Sequence, residues 1–274
     1  VDAMAPAKLD YVTTAVPLDS VDPLNLRPEG MDFLEGIEHP IMREQARDYF
    51  VNQSFRRDLY VRGATRLSTA EQRQALFNTR FILLQAPESV PVHVRGPAGE
   101  ASLQTEIYGP VLEALPANNY APKTLRQLSA AASSLASDDV LQALNVLIGM
   151  NAVAPCQSEA AEKSVQARCN DLNLELCKRS LLNDKIQVLA SPVTGGGITV
   201  SRFEQLFLIS IKHGQEQPAE WAQLAWAILG EQGEVLVRDG APLATAEENI
   251  AELTLSAQVF ASNKLVILRA FNIV

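Results

Sequence analysis

The spacing of apolar and polar residues changes several times along this chain, and each change marks an element. AKLDYVTTAV, residues 7–16, reads as one strand. After it, Pro17, Pro23 and Pro28 among scattered aspartates forbid a long helix, so residues 1–38 are expected to be an extended connector. Pro40 then sits where the first turn of a helix tolerates it. From there Met42, Ala46, Tyr49 and Phe50 recur at helical spacing, which predicts that MREQARDYFVNQ is amphipathic. The period next shortens to two. Leu59 and Val61 point one way and Asp58, Tyr60 and Arg62 the other, predicting a half-buried strand. FNTRFILLQAP (77–87) and VPVHVRGPAGEASLQTEI (90–107) read as further strands, the second broken by the turn Gly96-Pro97-Ala98-Gly99.

Past GPVLEALPANNYAP the pattern becomes mostly helical. TLRQLSAAASSL (124–135) and SDDVLQALNVLIG (137–149) form a pair with Leu125, Leu128, Ala132 and Leu135 on one face and Val140, Leu144, Leu147 and Ile148 on its partner. Ser137 is the expected N-cap and Gly149 the expected stop, and with the following NAVAP strand the pair has a winged-helix outline. A long helix is expected over 159–182 with Val165, Cys169, Leu172 and Leu176 inward. Next come a strand-turn-strand in KIQVLASPVTGGGITVS, helices over 202–213 and 218–229, a Gly-Ala-Pro turn closing EVLVRDGAPL, and a final helix over 246–261. The expected fold class is α+β. A connector at 1–38 leads into a helix-plus-antiparallel-strand domain at 39–120 and a mainly helical, winged-helix-like domain at 121–274.

Composition narrows the function classes. The chain has 274 residues, 47% of them apolar and 20% charged, which suits folded rather than disordered protein. No apolar run approaches the ~18–20 residues of a membrane-spanning helix. The N-terminus has neither a basic region nor an apolar stretch, so no secretory signal is expected, and a start at Val1 fits a piece of something longer. Cys156, Cys169 and Cys177 are too few and too unevenly spaced for a disulfide framework and point to a reducing cytoplasm. A formal net charge of −9 argues against general affinity for nucleic acid. Residues 1–42 carry eight acids against Lys8 and Arg27, whereas 43–95 carry nine arginines, no lysine and five acids. An acidic arm thus runs into a basic lobe.

Most candidate chemistry dissolves on inspection. The helix pair resembles a DNA-binding motif, yet no Lys or Arg lies between Gln127 and Glu162, and Asp138 and Asp139 open the second helix. Gly195, Gly196 and Gly197 precede Ile-Thr-Val rather than a helix, so they read as a hairpin turn and not a cofactor loop. His39, His93 and His213 are scattered, without metal spacing. Glu247-Glu248, like Asp138-Asp139, suits a helix start. The arginines remain. Arg43 and Arg47 lie one turn apart on the predicted helix, Arg56 and Arg57 precede the strand, and Arg62 and Arg66 follow it. Guanidinium forks suit carboxylates on a neighbouring surface, which makes these six the candidate partner interface; solvated faces and local pairs such as Glu44–Arg47 are the plainer alternative.

HPIMREQARDYFVNQSFRRDLYVRG, with Tyr49, Phe50, Phe55, Arg56, Arg57, Leu59 and Val61, resembles the methyltransferase regulatory domain that lies C-terminal to S-adenosylmethionine-dependent methyltransferase domains in bacteria. PAKLDYVTTA resembles the tail of the preceding catalytic domain. Arg168 with Leu172-Asn173, VLASPVTGGGITV, FEQLFLISI and VRDGAPL resemble the rest of such proteins, some of which are similar to protein-lysine methyltransferases. The resemblance implies a non-catalytic portion serving regulation, substrate recognition or dimer contacts. It implies no catalytic, cofactor or metal residue in this chain, S-adenosylmethionine bound by an upstream domain, and that upstream domain as a partner. A protein substrate and a homo-oligomer stay open, and the alternative is an autonomous protein-protein interaction module.

Overall fold

The computed structural model describes residues 4–274 and shows a mixed α+β chain. Contacts divide it into two compact units, one running to residue 116 and including 123–154, the other comprising 117–122 and 155–274. Residues 120 and 121, where the boundary is expected, both lie in the short 117–122 segment of the second unit, and the chain returns to the first unit after it.

The first unit begins with β1 (Leu9–Thr14), as expected. The rest of the expected connector folds into short pieces, a 3-10 turn at Pro17–Ser20, α1 (Asp22–Asn25) and α2 (Pro28–Glu35), each opened by a proline in its first turn. Then come α3 (Pro40–Val51), β2 (Asp58–Arg62), α4 (Thr69–Asn78) and β3 (Arg80–Leu83). β4 (His93–Gly96) and β5 (Gly99–Ser102) form the hairpin expected around Pro97-Ala98. α5 (Thr105–Ala114), β6 (Lys123–Thr124), α6 (Leu125–Ala131), α7 (Ser137–Gly149) and β7 (Val153–Pro155) complete it. β3 lies between β6 and β7 in a three-stranded sheet, and β1 and β2 form a two-stranded sheet.

The helix pair belongs to this unit because its apolar faces fill the core that β3 begins. Ile82, Leu83, Val111, Leu125, Leu128 and Leu144 are all essentially inaccessible. Two elements in this region escaped the pattern. α4 has a capping box, in which Ser68 Oγ accepts from Glu71 N–H and the Glu71 carboxylate accepts from Ser68 N–H, but its sequence is polar almost all round. α5 contains Pro110, which reads as a breaker.

Two caps differ from expectation. Ala136, not Ser137, is the N-cap of α7, and its side chain can bond no backbone donor; Asp138 and Asp139 in the first turn complement the helix dipole instead. Gly149 is still helical, and the left-handed residue beyond is Asn151. Gly149 is needed for space: a Cβ there would lie 2.4 Å from Leu18 Cγ and 2.6 Å from its Cδ2.

The second unit opens with α8 (Glu159–Ser180), capped by Ser158. The hairpin of β8 (Val188–Ser191) and β9 (Gly196–Thr199) forms as expected, but its turn is 192–195; Gly195 closes it at φ 69°, while Gly196 and Gly197 already pair with Ser191 and Ala190. α9 (Arg202–Lys212) and α10 (Pro218–Glu231) follow. β10 (Val237–Arg238) and β11 (Ala241–Pro242) pair around Asp239-Gly240, both at positive φ, so the turn is Asp-Gly and Ala241-Pro242 already belongs to the strand. α11 (Ala246–Val259) runs through a π turn at Phe260–Lys264 into α12 (Leu265–Ala270), nine residues beyond the expected end. Phe207, Trp221 and Phe260 meet with ring centroids 5.7–6.5 Å apart.

The inward face of α8 is not the expected one. Asn173, Cys177 and Ser180 are buried, while Leu172 is largely exposed and Val165, Cys169 and Leu176 are only half-buried. The Asn173 carboxamide explains the rotation. It donates to Ala190 O at 2.8 Å and accepts from Ala190 N–H at 2.7 Å, imitating a strand partner and pinning this face to β8. Of the two helical cysteines, then, only Cys177 packs inside.

Gly149→Ala should destabilise the chain by about 1–3 kcal/mol through overpacking, seen as a lower urea midpoint at unchanged slope, with Leu18→Ala in the same chain recovering part of the loss. Burial pushes the Cys177 thiol up to about 11, with the Lys212 ammonium acting in the opposite sense. The unfolded chain therefore releases this proton first, and stability should fall as pH rises from about 9 to about 11, a slope that Cys177→Ala removes in pH-dependent unfolding.

Candidate partner interface

α3 and the β1–β2 ribbon form a lobe in which no residue is fully buried. Local sequence fixes each piece. His39 Nδ1 accepts from Met42 N–H at the start of α3, and Asn52 at φ 52° closes its end, donating its own N–H to the last carbonyls. β1 and β2 run antiparallel, with Tyr11 opposite Tyr60 and an irregularity between Tyr11 and Thr13.

Ionic contacts hold the pieces together. Arg56 Nε donates to Asp58 at 3.1 Å, Nη1 to Asp48 at 2.9 Å, and Nη2 to the Tyr11 hydroxyl at 3.1 Å and to Glu44 at 3.4 Å. The same guanidinium lies 5.5 Å from the Tyr11 ring centroid. Arg47 pairs with Asp22 and, at 3.9 Å, with Glu44, and Arg43 reaches Asp22 at 3.5 Å. Burial works against the charge on Arg56, but hydrogen bonds to Asp48 and Asp58 outweigh it and raise its pKa above the ordinary arginine value. At Arg47 burial outweighs the neighbouring charges and lowers its pKa. Tyr11 is raised, by burial first and then by Glu44.

The six candidate arginines thus divide. Arg43, Arg47 and Arg56 are engaged with carboxylates of their own unit. Arg57, Arg62 and Arg66 are exposed, and their guanidinium groups make no ion pair with the described residues.

The polarity of the lobe reverses the expectation from amphipathicity. On β2 the Asp58/Tyr60 side is the half-buried one, and Leu59 and Val61 are 50% and 41% exposed. On α3 the polar Arg43, Glu44, Arg47 and Asp48 are partly covered, while Met42 and Tyr49 are 62% and 80% exposed. Phe55, between the two elements, is 88% exposed. Phe50 has an aromatic neighbour in Phe33, at 5.6 Å. The alternation in the sequence was correctly legible; which side faced inward was not, because the partner of the inner face is a charge cluster assembled from Tyr11, Asp22, Glu44 and Asp48.

The remaining candidates have structural roles. Glu248 accepts from the N–H groups of Ala244 and Thr245 at the start of α11, and those bonds lower its pKa. His93 lies beside Ser102 in the β4–β5 hairpin. Among the described residues no group of His, Cys, Asp or Glu is arranged to hold a metal ion, and no helix is long and apolar enough to cross a membrane.

This lobe lies within the stretch that matches a known family model, "Predicted methyltransferase regulatory domain", over residues 1–62. Over 269 residues the chain is 34% identical to the uncharacterized protein sll1526 of Synechocystis sp., covering 97% of this chain and 52% of that protein. Its fold is shared with PKMT2 from Rickettsia typhi, at TM-score 0.55 and 12% identity over 97% of this chain and 56% of that one. The AdoHcy complex of PKMT2 gives TM-score 0.52 at 13% identity, covering 99% and 56%. The chain therefore spans about half the length of the relatives it matches.

Arg56→Ala should cost about 1–3 kcal/mol, since it leaves partly buried carboxylates unpaired. Arg57→Ala, Arg62→Ala and Arg66→Ala should each stay within about 0.5 kcal/mol of the parent chain in chemical denaturation.

Proposed function

We propose that this chain is the non-catalytic regulatory and substrate-recognition part of an S-adenosylmethionine-dependent methyltransferase, docked on the catalytic domain through the α3–β1–β2 lobe. The observation that carries the reading is the reversed polarity of that lobe. Apolar side chains left outside an ionic interior, with free arginines beside them, have the aromatic, aliphatic and Arg composition of a protein interface centre. A two-stranded ribbon is marginal by itself, and covering the Leu59/Val61 side would stabilise it. The match of residues 1–62 to a methyltransferase regulatory domain supports the partner, and so does the AdoHcy bound by the structurally similar PKMT2. AdoHcy is what remains of S-adenosylmethionine after methyl transfer. On this reading the donor belongs to the partner domain, and the glycines at 195–197, held in a β-hairpin, take no part in binding it. Three unevenly spaced cysteines fit a reducing cytoplasm.

Titration of the chain against the catalytic domain of the same protein tests this. Phe55→Ser and Leu59→Ser should each weaken association at least tenfold, and Arg57→Ala with Arg62→Ala several-fold, with circular dichroism unchanged in every variant. Affinity indifferent to all four substitutions would refute the docking surface. Stoichiometric binding of S-adenosylmethionine by the isolated chain would refute the assignment of the donor to the partner domain.

A further inference from the structure

A second feature, unconnected with the lobe, lies within the second unit. α8, α9, β8 and the C-terminal residues Ile273 and Val274 enclose a cleft of about 820 Å³, within the ~300–1,000 Å³ typical of small-molecule sites. Its floor is deep: Cys177, Leu189 and Leu208 line it and are each less than a tenth exposed. Leu174, Leu181 and Ile211 form apolar walls.

The charged side chains of the lining are of one sign. Lys178, from the last turn of α8, and Lys212, from the last turn of α9, both line the cleft, with His213 beside Lys212; no Asp or Glu side chain does. Neither lysine makes an ion pair with the described residues, whereas Arg179, next along α8, turns to Glu175. Lysines in the last turn of a helix ordinarily complement its dipole. Here two such ends each place a lysine on the lining of one apolar cavity, in a chain whose net charge is −9. The Lys212 charge reaches the floor, where it acts on the Cys177 thiol. The Asn173 carboxamide is engaged with Ala190, and beside the neutral Asn170 amide the charged side chains open to a ligand are the two lysines.

We propose that this cleft binds a small amphiphilic anion, an aliphatic chain ending in a carboxylate, with the chain over Cys177, Leu189 and Leu208 and the carboxylate between Lys178 and Lys212. The assignment goes beyond the docking reading and is independent of it. A cation of the same shape would meet two ammonium groups, and a neutral alcohol would gain only the apolar part.

Calorimetric titration of the 274-residue chain, below the critical micelle concentrations, decides the matter. Dodecanoate should bind one to one, at least tenfold more tightly than octanoate, because each buried methylene is worth about fourfold. Dodecyltrimethylammonium should bind at least tenfold more weakly than dodecanoate. Lys178→Glu with Lys212→Glu, both at exposed positions and so compatible with folding, should weaken dodecanoate at least tenfold and leave dodecanol unchanged. Equal affinity for anionic and cationic probes, no dependence on chain length, or indifference to the double substitution would each overturn the proposal. Binding to phosphatidylglycerol vesicles without binding to monomeric dodecanoate would overturn it in favour of a membrane surface, and displacement of nothing but a peptide would do so in favour of a protein ligand.

Discussion

A guanidinium ringed by carboxylates and a phenol takes the place, between α3 and the β1–β2 ribbon, that a hydrophobic core would ordinarily occupy. Arg56 touches both strands and the helix at once, through Asp58 and Tyr11 on the ribbon and through Glu44 and Asp48 on α3. Arg47 ties α3 to Asp22 in α1. Directional, charge-assisted bonds of this kind hold three small elements in one arrangement with little apolar burial. Their consequence is the outer surface: once the interior is ionic, the apolar side chains of an alternating strand and a periodic helix can only point outward. The functional reading of the lobe rests on that inversion.

The second unit uses buried polar groups differently, one at a time and at places where irregular backbone must be held. Asn173 mates with Ala190, and Gln205 donates to the carbonyls of Ile186 and Val200. Arg202 joins Ser180 O to Glu234, and Asn249 accepts from Leu236 N–H while donating to Leu243 O and Thr245 O. Each replaces a backbone partner that a loop or helix end would otherwise lack. In α8 this has a geometric cost. Turning Asn173 toward β8 takes the Val165–Leu176 apolar face away from the interior and sets Cys177 and Leu174 along the cleft shared with α9.

Helices and strands whose periodicity and termini agreed were legible from residue order alone. α3, β2, the β4–β5 and β8–β9 hairpins, α7, α9 and α10 lie close to where spacing placed them, because 3.6- and two-residue periods and turn glycines act locally. α4 was missed for want of an apolar stripe, although Ser68 and Glu71 announced its start. α5 was missed because of Pro110, and the turn in EVLVRDGAPL was shifted because Asp239-Gly240, a strong hairpin signal, was passed over for the proline beyond it.

The arginine-rich stretch shows where residue order stops being sufficient. Sequence alone determined that 43–66 is basic, alternating and rich in aromatic and aliphatic side chains, and that the glycine-rich stretch at 195–197 belongs to a strand-turn-strand. Only the tertiary structure decided that Arg43, Arg47 and Arg56 are spent internally, that Arg57, Arg62 and Arg66 make no ion pair with the described residues, and that Leu59 and Val61 face outward. A period states which side chains share a face, but the direction of that face depends on what distant residues bring to the other side. For this lobe those residues are Asp22 and Tyr11, more than thirty positions away from Arg56 along the chain.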